Sequence, residues 1–147
     1  MKDIFKEITG KLKTITELKW IDEDKGQMNF ERPPIAFPAA LVEINLPNTD
    51  NLNLKKQHAM ARIRVRLCFN FGGNTSVVTP QAARDESLNY YDLVDKTYAT
   101  LQGWSAPIFN PLERRNFGHE KRPDGYKVVF MDFVTEFQDF TAAESAP

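Results

Sequence analysis

The sequence predicts an α+β fold: a single, mostly antiparallel β-sheet with two α-helices packed against it, in the order helix, hairpin, helix, hairpin. Three observations predict it. Residues 59–71 alternate strictly, with Ala61, Ile63, Val65, Leu67, Phe69 and Phe71 on one face and Arg62, Arg64, Arg66, Cys68 and Asn70 on the other, as in a long half-buried strand. Apolar residues recur at spacings of three and four over 2–19 and again over 80–102, the mark of a helix with one buried face. Residues 126–138 are apolar in part on both faces, with Val129, Met131, Phe133 and Phe137 on one and Val128, Phe130 and Val134 on the other. A strand of that kind is covered on both sides. One cover can be helix, and the other is expected to be a second subunit or a second sheet.

Taken in order, Ile4, Phe5, Ile8, Leu12, Ile15 and Leu18 form the buried stripe of the first helix. Gly10 weakens its middle by about 1 kcal/mol relative to alanine, so packing must hold it. The polar run Asp22-Glu23-Asp24-Lys25-Gly26 reads as a turn; it lacks the ligand spacing and closing Glu of a calcium loop. Pro33, Pro34 and Pro38 predict an extended segment without a ladder. Residues 39–46 then alternate, with Ala40, Val42, Ile44 and Leu46 on one face and Leu41, Glu43 and Asn45 on the other. Residues 47–56, rich in Asn and Asp, are expected to be a long loop, either a mobile tip or a partner-binding arm, closing an antiparallel hairpin with 57–71.

Gly72-Gly73-Asn74 reads as a strand exit, because the Lys and Ser or Thr of a phosphate-binding loop do not follow it. Thr79-Pro80 predicts a helix start, with Asp85 as the alternative cap. Leu88, Tyr91, Val94, Tyr98 and Leu101 are the expected buried stripe, Tyr90 and Asp95 the exposed one, and Gly103 the stop. Trp104 is expected to fold back on the core. Residues 108–119 form a weaker strand candidate interrupted by Pro111, and Arg122-Pro123-Asp124-Gly125 is a turn leading into the last strand. The expected organisation is one domain over 1–138 and a flexible C-terminal tail over 139–147.

A chain of 147 residues with 41% apolar and 27% charged residues can build one core without a staple. A net charge of −1 argues against nucleic-acid binding through bulk positive charge. The single Cys68 leaves no intramolecular disulfide and fits a reducing compartment. The opening residues lack the apolar run of a signal peptide, no stretch approaches a membrane span, and no membrane partner is expected. His58 and His119 lack ligand partners at metal spacing, so no metal or other cofactor is expected, and no catalytic constellation is present. Cys68 is read as a passive strand residue, with an Arg66-activated thiol as the alternative.

The unusual polar feature is the stripe of Arg62, Arg64 and Arg66, about 6.6 Å apart. One reading pairs it across strands with Glu43, Asp132 and Glu136. The other makes it a surface that meets phosphates or an acidic partner subunit.

With these residues placed, the chain resembles the tail-terminator and tail-completion proteins of long-tailed bacteriophages and prophages. The resemblance rests on Lys19-Trp20-Ile21-Asp22 after the first helix and on 38–43, Pro-Ala-Ala-Leu-Val-Glu, opening the first long strand. It rests also on the Arg-x-Arg-x-Arg strand, on Tyr91-Asp92-Leu93-Val94-Asp95-Lys96 with Leu101-Gln102-Gly103-Trp104, and on Asp124-Gly125-Tyr126-Lys127-Val128. It is a likeness of layout over about residues 1–138, and the 47–56 segment has no place in it. The resemblance implies a non-enzymatic structural protein that forms a ring, typically a hexamer, which caps the tail tube, ends its polymerisation and faces the head. The implied partners are other copies of the chain, the tail tube protein, the head connector protein and DNA passing through the ring. The implied location is the bacterial cytoplasm during assembly and then the virion tail. The candidate subunit-interface or channel-facing residues are Arg62, Arg64, Arg66, Glu43, Phe130 and Val134. The alternatives are another head–tail connector or neck component and, in a different class, a small ligand-binding or enzymatic α+β domain.

Overall fold

The computed structural model of the protein describes residues 1–70 and 76–144. The expected strand exit at Gly72-Gly73-Asn74 lies outside the described residues, as do 145–147. The fold is α+β. Its elements are α1 (Lys2–Leu12), β1 (Trp20–Glu23), β2 (Ala39–Asn53), β3 (Lys56–Asn70), α2 (Gln81–Leu88), α3 (Tyr90–Leu101), β4 (Glu113–Glu120), β5 (Tyr126–Asp139) and a final helical turn, α4 (Thr141–Glu144). The strands form one sheet in the order β1-β2-β3-β5-β4. All neighbours are antiparallel except β1 and β2, which run parallel.

β3 is the centre of the sheet and pairs along nearly its whole length with β2 on one side and β5 on the other. Its alternation sorts the two faces. Ile63, Val65 and Leu67 join Val42, Met131 and Phe133 beneath Ile4, Ile8 and Leu12 of α1 and Leu93, Val94 and Leu101 of α3. The arginines point the other way.

Four sequence expectations change. The first helix ends at Leu12 rather than near Lys19. The β-branched run Thr14-Ile15-Thr16 is a poor helix former, and tight turns replace it: Thr14 N–H donates to the Lys11 carbonyl at 3.1 Å and Ile15 N–H to that of Leu12 at 2.9 Å. Ile15 and Leu18 still reach the core. The polar turn at Asp22 begins two residues later, because Trp20–Glu23 is a strand pairing with Ala39–Val42. The turn proper ends on Gly26, whose φ of 80° suits glycine.

The expected 47–56 loop is instead hairpin. The β2–β3 ladder continues through Asn51↔Gln57 and Asn53↔Lys56, with a register shift between Asn45 and Asn48. Pro47 sits within that shift, where its missing N–H breaks no ladder, since β1 has already ended at the level of Val42. The second helix is two helices, broken at Asn89. The break rotates the stripe: Tyr90 is buried at 8% exposure, Tyr91 is exposed at 37%, and Leu93, Val94, Thr97 and Leu101 complete the buried face.

The second face of β5 is covered in part by the protein's own chain. Met28 packs with Ala39, Leu41, Cys68 and Val128, and Ile35, Phe37 and Tyr126 close over them. The Phe37 and Tyr126 rings stack at 5.3 Å. The proline-rich stretch is therefore a flap on the far side of the sheet, in place of the expected second subunit or sheet at that end.

Phe133 is wholly buried where β3, β5 and the helix layer meet. Phe133→Ala is expected to destabilise the fold by about 3–5 kcal/mol. Urea unfolding checks it through a lowered midpoint at unchanged slope.

Candidate assembly interface

Beyond the flap, the arginine-bearing face of the sheet is open. Alternation on β3 places Arg62, Arg64 and Arg66 there, and register brings Glu43, Leu41, Asp132, Phe130 and Val134 beside them. The three arginines have different environments.

Arg66 is the most buried. Its Nε and Nη2 donate to Glu120 Oε1 and Oε2, each at 2.7 Å, and its Nη1 donates to Asp24 Oδ2 at 3.0 Å. Burial works against its charge, yet these hydrogen bonds more than offset that and raise its pKa above the ordinary value. Arg122 extends the cluster, donating to the Met28 carbonyl at 2.6 Å and to Asp124. The network ties β1's exit, β3, β4 and the flap together at one end of the sheet.

Arg64 makes a two-pronged contact with Asp132, 2.7 Å from Nε to Oδ1 and 3.0 Å from Nη2 to Oδ2. Such paired geometry is among the stronger polar contacts. The bond holds the Asp132 carboxyl below its ordinary value, against the opposing effect of burial. The Arg64 guanidinium also lies 4.4 Å from the centre of the Phe130 ring. That ring rests on Gly118, where a Cβ would come within 2.6 Å of the ring tip. Phe130 is thus sandwiched rather than offered as an apolar patch.

Arg62 is different. It is exposed, it has no carboxylate within 4.0 Å among the described residues, and it stands opposite Asn45 and Val134. Glu43 is exposed and accepts a bond from Asn45 Nδ2 at 3.2 Å rather than from Arg64. Glu136 faces His58 at 3.6 Å. Of the three expected cross-strand partners, Asp132 alone bonds an arginine of the stripe. Asp24 and Glu120, the partners of Arg66, come from a turn and from an edge strand, positions the sequence pattern did not single out.

Cys68 is fully buried, and burial pushes its thiol up to about 12 despite the nearby Arg66. It is no nucleophile at neutral pH. His119 meets Tyr91 Oη at 3.2 Å and is held below the ordinary histidine value by burial and by Lys127. Among the described residues, no group of three or more His, Cys, Asp or Glu side chains is arranged to hold a metal ion. No helix there is long and apolar enough to cross a membrane.

The remaining open feature is backbone. β1 pairs with Ala39–Val42, so from Glu43 onward the outer edge of β2 has no neighbouring strand among the described residues. On the far side of the sheet, β4 is also an edge.

No protein-family model matches the chain, and no curated protein matches it. Among solved structures, it is similar to a chain of the virion of a native gene transfer agent particle. The identity is 10%, the TM-score is 0.49, and the match covers 90% of this chain and 92% of that one.

Arg66→Gln leaves two carboxylates facing each other in a half-buried site. The expected cost is about 3 kcal/mol or more, whereas Arg62→Gln should stay within about 0.5 kcal/mol; thermal or urea unfolding separates the two. The lowered pKa of Asp132 sets a pH dependence. Its contribution is present above the ordinary aspartate value of 3.8 and fades as pH falls through the lower folded value. Arg64→Gln is therefore expected to flatten the loss of stability below about pH 4, measured by urea midpoints across that range.

Proposed function

We propose that this protein is a non-enzymatic structural subunit of a bacteriophage or prophage tail, forming a ring that caps the tail tube, ends its polymerisation and joins it to the head. The observation that carries the reading is the long β2–β3 hairpin, whose outer edge, among the described residues, runs without a partner strand from Glu43 to Asn53. An edge of that length invites pairing with another chain, although Pro47 and the register shift between Asn45 and Asn48 interrupt it. The resemblance in layout to tail terminators supplies the kind of assembly. The buried, high-pKa Cys68 weighs against the thiol-enzyme alternative.

Within this reading the arginine stripe is not a continuous positive track. Arg64 and Arg66 are neutralised inside the subunit, by Asp132 and by Glu120 with Asp24. Arg62 is left as the member of the stripe that offers charge to a neighbouring copy or to DNA in the channel. Phe130 and Val134 serve as the sheet surface around it. The partners are other copies of the chain, the tail tube protein and the head connector protein, and the location is the host cytoplasm and then the virion tail.

Light scattering tests the ring: a mass several times 16.9 kDa is expected, and a single-subunit mass at every concentration overturns the reading. Arg62→Glu is expected to fold with an unchanged melting temperature yet to assemble poorly or leave tails incomplete. Normal ring mass and normal tail completion by that variant would remove Arg62 from the interface.

A further inference from the structure

The first helix carries its charges in an arrangement that folding alone does not favour. At 3.6 residues per turn, Lys2, Lys6 and Lys13 fall within about 40° of one another, on an outer flank of α1 away from the buried Ile4, Ile8 and Leu12. Lys13, at the C-cap, keeps helical φ and ψ of −61° and −21°. All three lysines are exposed and, among the described residues, none has a carboxylate within 4.0 Å. Asp3 and Glu7 fall together on the other flank. Lys2–Lys6 and Asp3–Glu7 are therefore like-charge pairs four residues apart, which weaken a helix where opposite pairs would strengthen it. Lys2 also stands in the first turn, at the positive end of the helix dipole.

Gly10 adds a second cost, because glycine is a poor helix former. No neighbour requires it: a Cβ there would meet nothing within 4 Å, whereas one at Gly118 would strike the Phe130 ring. What Gly10 leaves is a notch. With Lys6, Thr9, Lys13 and Ile21 it lines a hollow of about 300 Å³ between α1 and β1. Lys6 lies about 6 Å to one side of the notch along the axis and Lys13 about 4.5 Å to the other. Bare backbone there lets a phosphate group come close between two ammonium groups.

We infer that this row meets the phosphate backbone of duplex DNA, with a phosphate seated at the Gly10 notch between Lys6 and Lys13. The inference rests on the ring-forming reading and turns the helix layer, rather than the Arg62 face, toward the DNA. Lysine is a point charge that suits phosphate, and it is depleted from protein–protein interfaces. The row holds no arginine or aromatic side chain, so it responds to charge density and not to base sequence. The net charge of −1 averages this local row against acids elsewhere in the chain.

Glu23 shares a separate hollow with Lys2, so the informative changes are at Lys6, Gly10 and Lys13. The experiment follows the fluorescence anisotropy of a labelled, mixed-sequence DNA duplex titrated with the full-length protein over a salt series. The wild type is expected to bind whatever the sequence, with log affinity falling linearly in log salt. Lys6→Gln with Lys13→Gln is expected to flatten that slope by about 0.9 per lysine for each subunit in contact, with the light-scattering mass unchanged. Lys55→Gln with Lys121→Gln removes the same charge from two other exposed sites and is expected to leave the slope as it is. Gly10→Leu is expected to raise the melting temperature and yet weaken binding, a combination that a merely solvated helix face does not give. A wild-type ring that binds no duplex at low salt overturns the inference and leaves the ring reading intact. An equal loss in the Lys55 and Lys121 variant also overturns it, as does competition by polyglutamate equal to that by unlabelled duplex, which assigns the row to an acidic protein. Binding that depends on Lys6 and Lys13 in a protein that stays a single subunit at every concentration sustains the row and overturns the ring.

Discussion

Everything in this molecule depends on the pairing of β3 with β5. The two strands share the longest unbroken register in the sheet, from Gln57↔Asp139 to Asn70↔Tyr126. Side chains of opposite parity are thereby sorted along that whole length. Slipping the register by one residue would put Arg62, Arg64 and Arg66 under the helices and Ile63, Val65 and Leu67 in water. The hydrophobic term alone forbids that. Once the register is set, the helix layer has one place to go, and the arginines must find carboxylates on the opposite face. Asp132 is delivered to Arg64 by the same pairing.

The far face shows how a sheet with mixed chemistry is completed without a second domain. At one end the flap of residues 27–38 supplies Met28, Ile35 and Phe37 to cover Leu41 and Val128. The charge of Arg66 at the flap's margin is met from two sides by Asp24 and Glu120. A half-buried ion pair contributes little net stability against a hydrophobic substitute, but it is costly to break. Its effect here is positional: it holds the turn after β1 and the end of β4 against the same strand, so the two borders of the sheet are tied through its centre.

Much of this was legible in the sequence because it is local or periodic. The β3 alternation, the Ile4-Ile8-Leu12 stripe and the two-sided apolar character of β5 each identify an element without knowledge of its neighbours. What was not legible depends on partners distant in the chain. β1 is four polar-leaning residues that become strand through parallel pairing with Ala39–Val42. The 47–53 segment has poor strand formers and a proline, and its state is imposed by the ladder with β3; the alternation Asn51-Leu52-Asn53-Leu54 was the available signal. The Tyr90 and Tyr91 exchange turns on a one-residue break at Asn89, a matter of phase that periodicity counting averages away. Of the candidate interface residues, Arg62 and Glu43 are exposed, while Arg64, Arg66 and Phe130 are engaged within the subunit. Distinguishing them required knowing that Glu120 and Asp24 converge on Arg66.

The division of labour between the two ends of the sheet follows from this. The flap end is closed by apolar cover and charge pairs, so little there remains to attract a neighbour. The hairpin end has less of either: Glu136 faces His58, Lys56 lies over the Phe140 ring, β1 stops at Glu23, and β2 continues with exposed side chains and, among the described residues, no strand on its outer edge. Folding alone gives no reason to extend two strands past the core, since the residues there bury almost nothing and their ordering costs about 1–2 kcal/mol each in backbone entropy. The hairpin persists because each rung is bonded to the next from a rigid base. The tip sets the exposed Leu52 and Leu54 beside Lys55 and Lys56, so apolar side chains and charges share it.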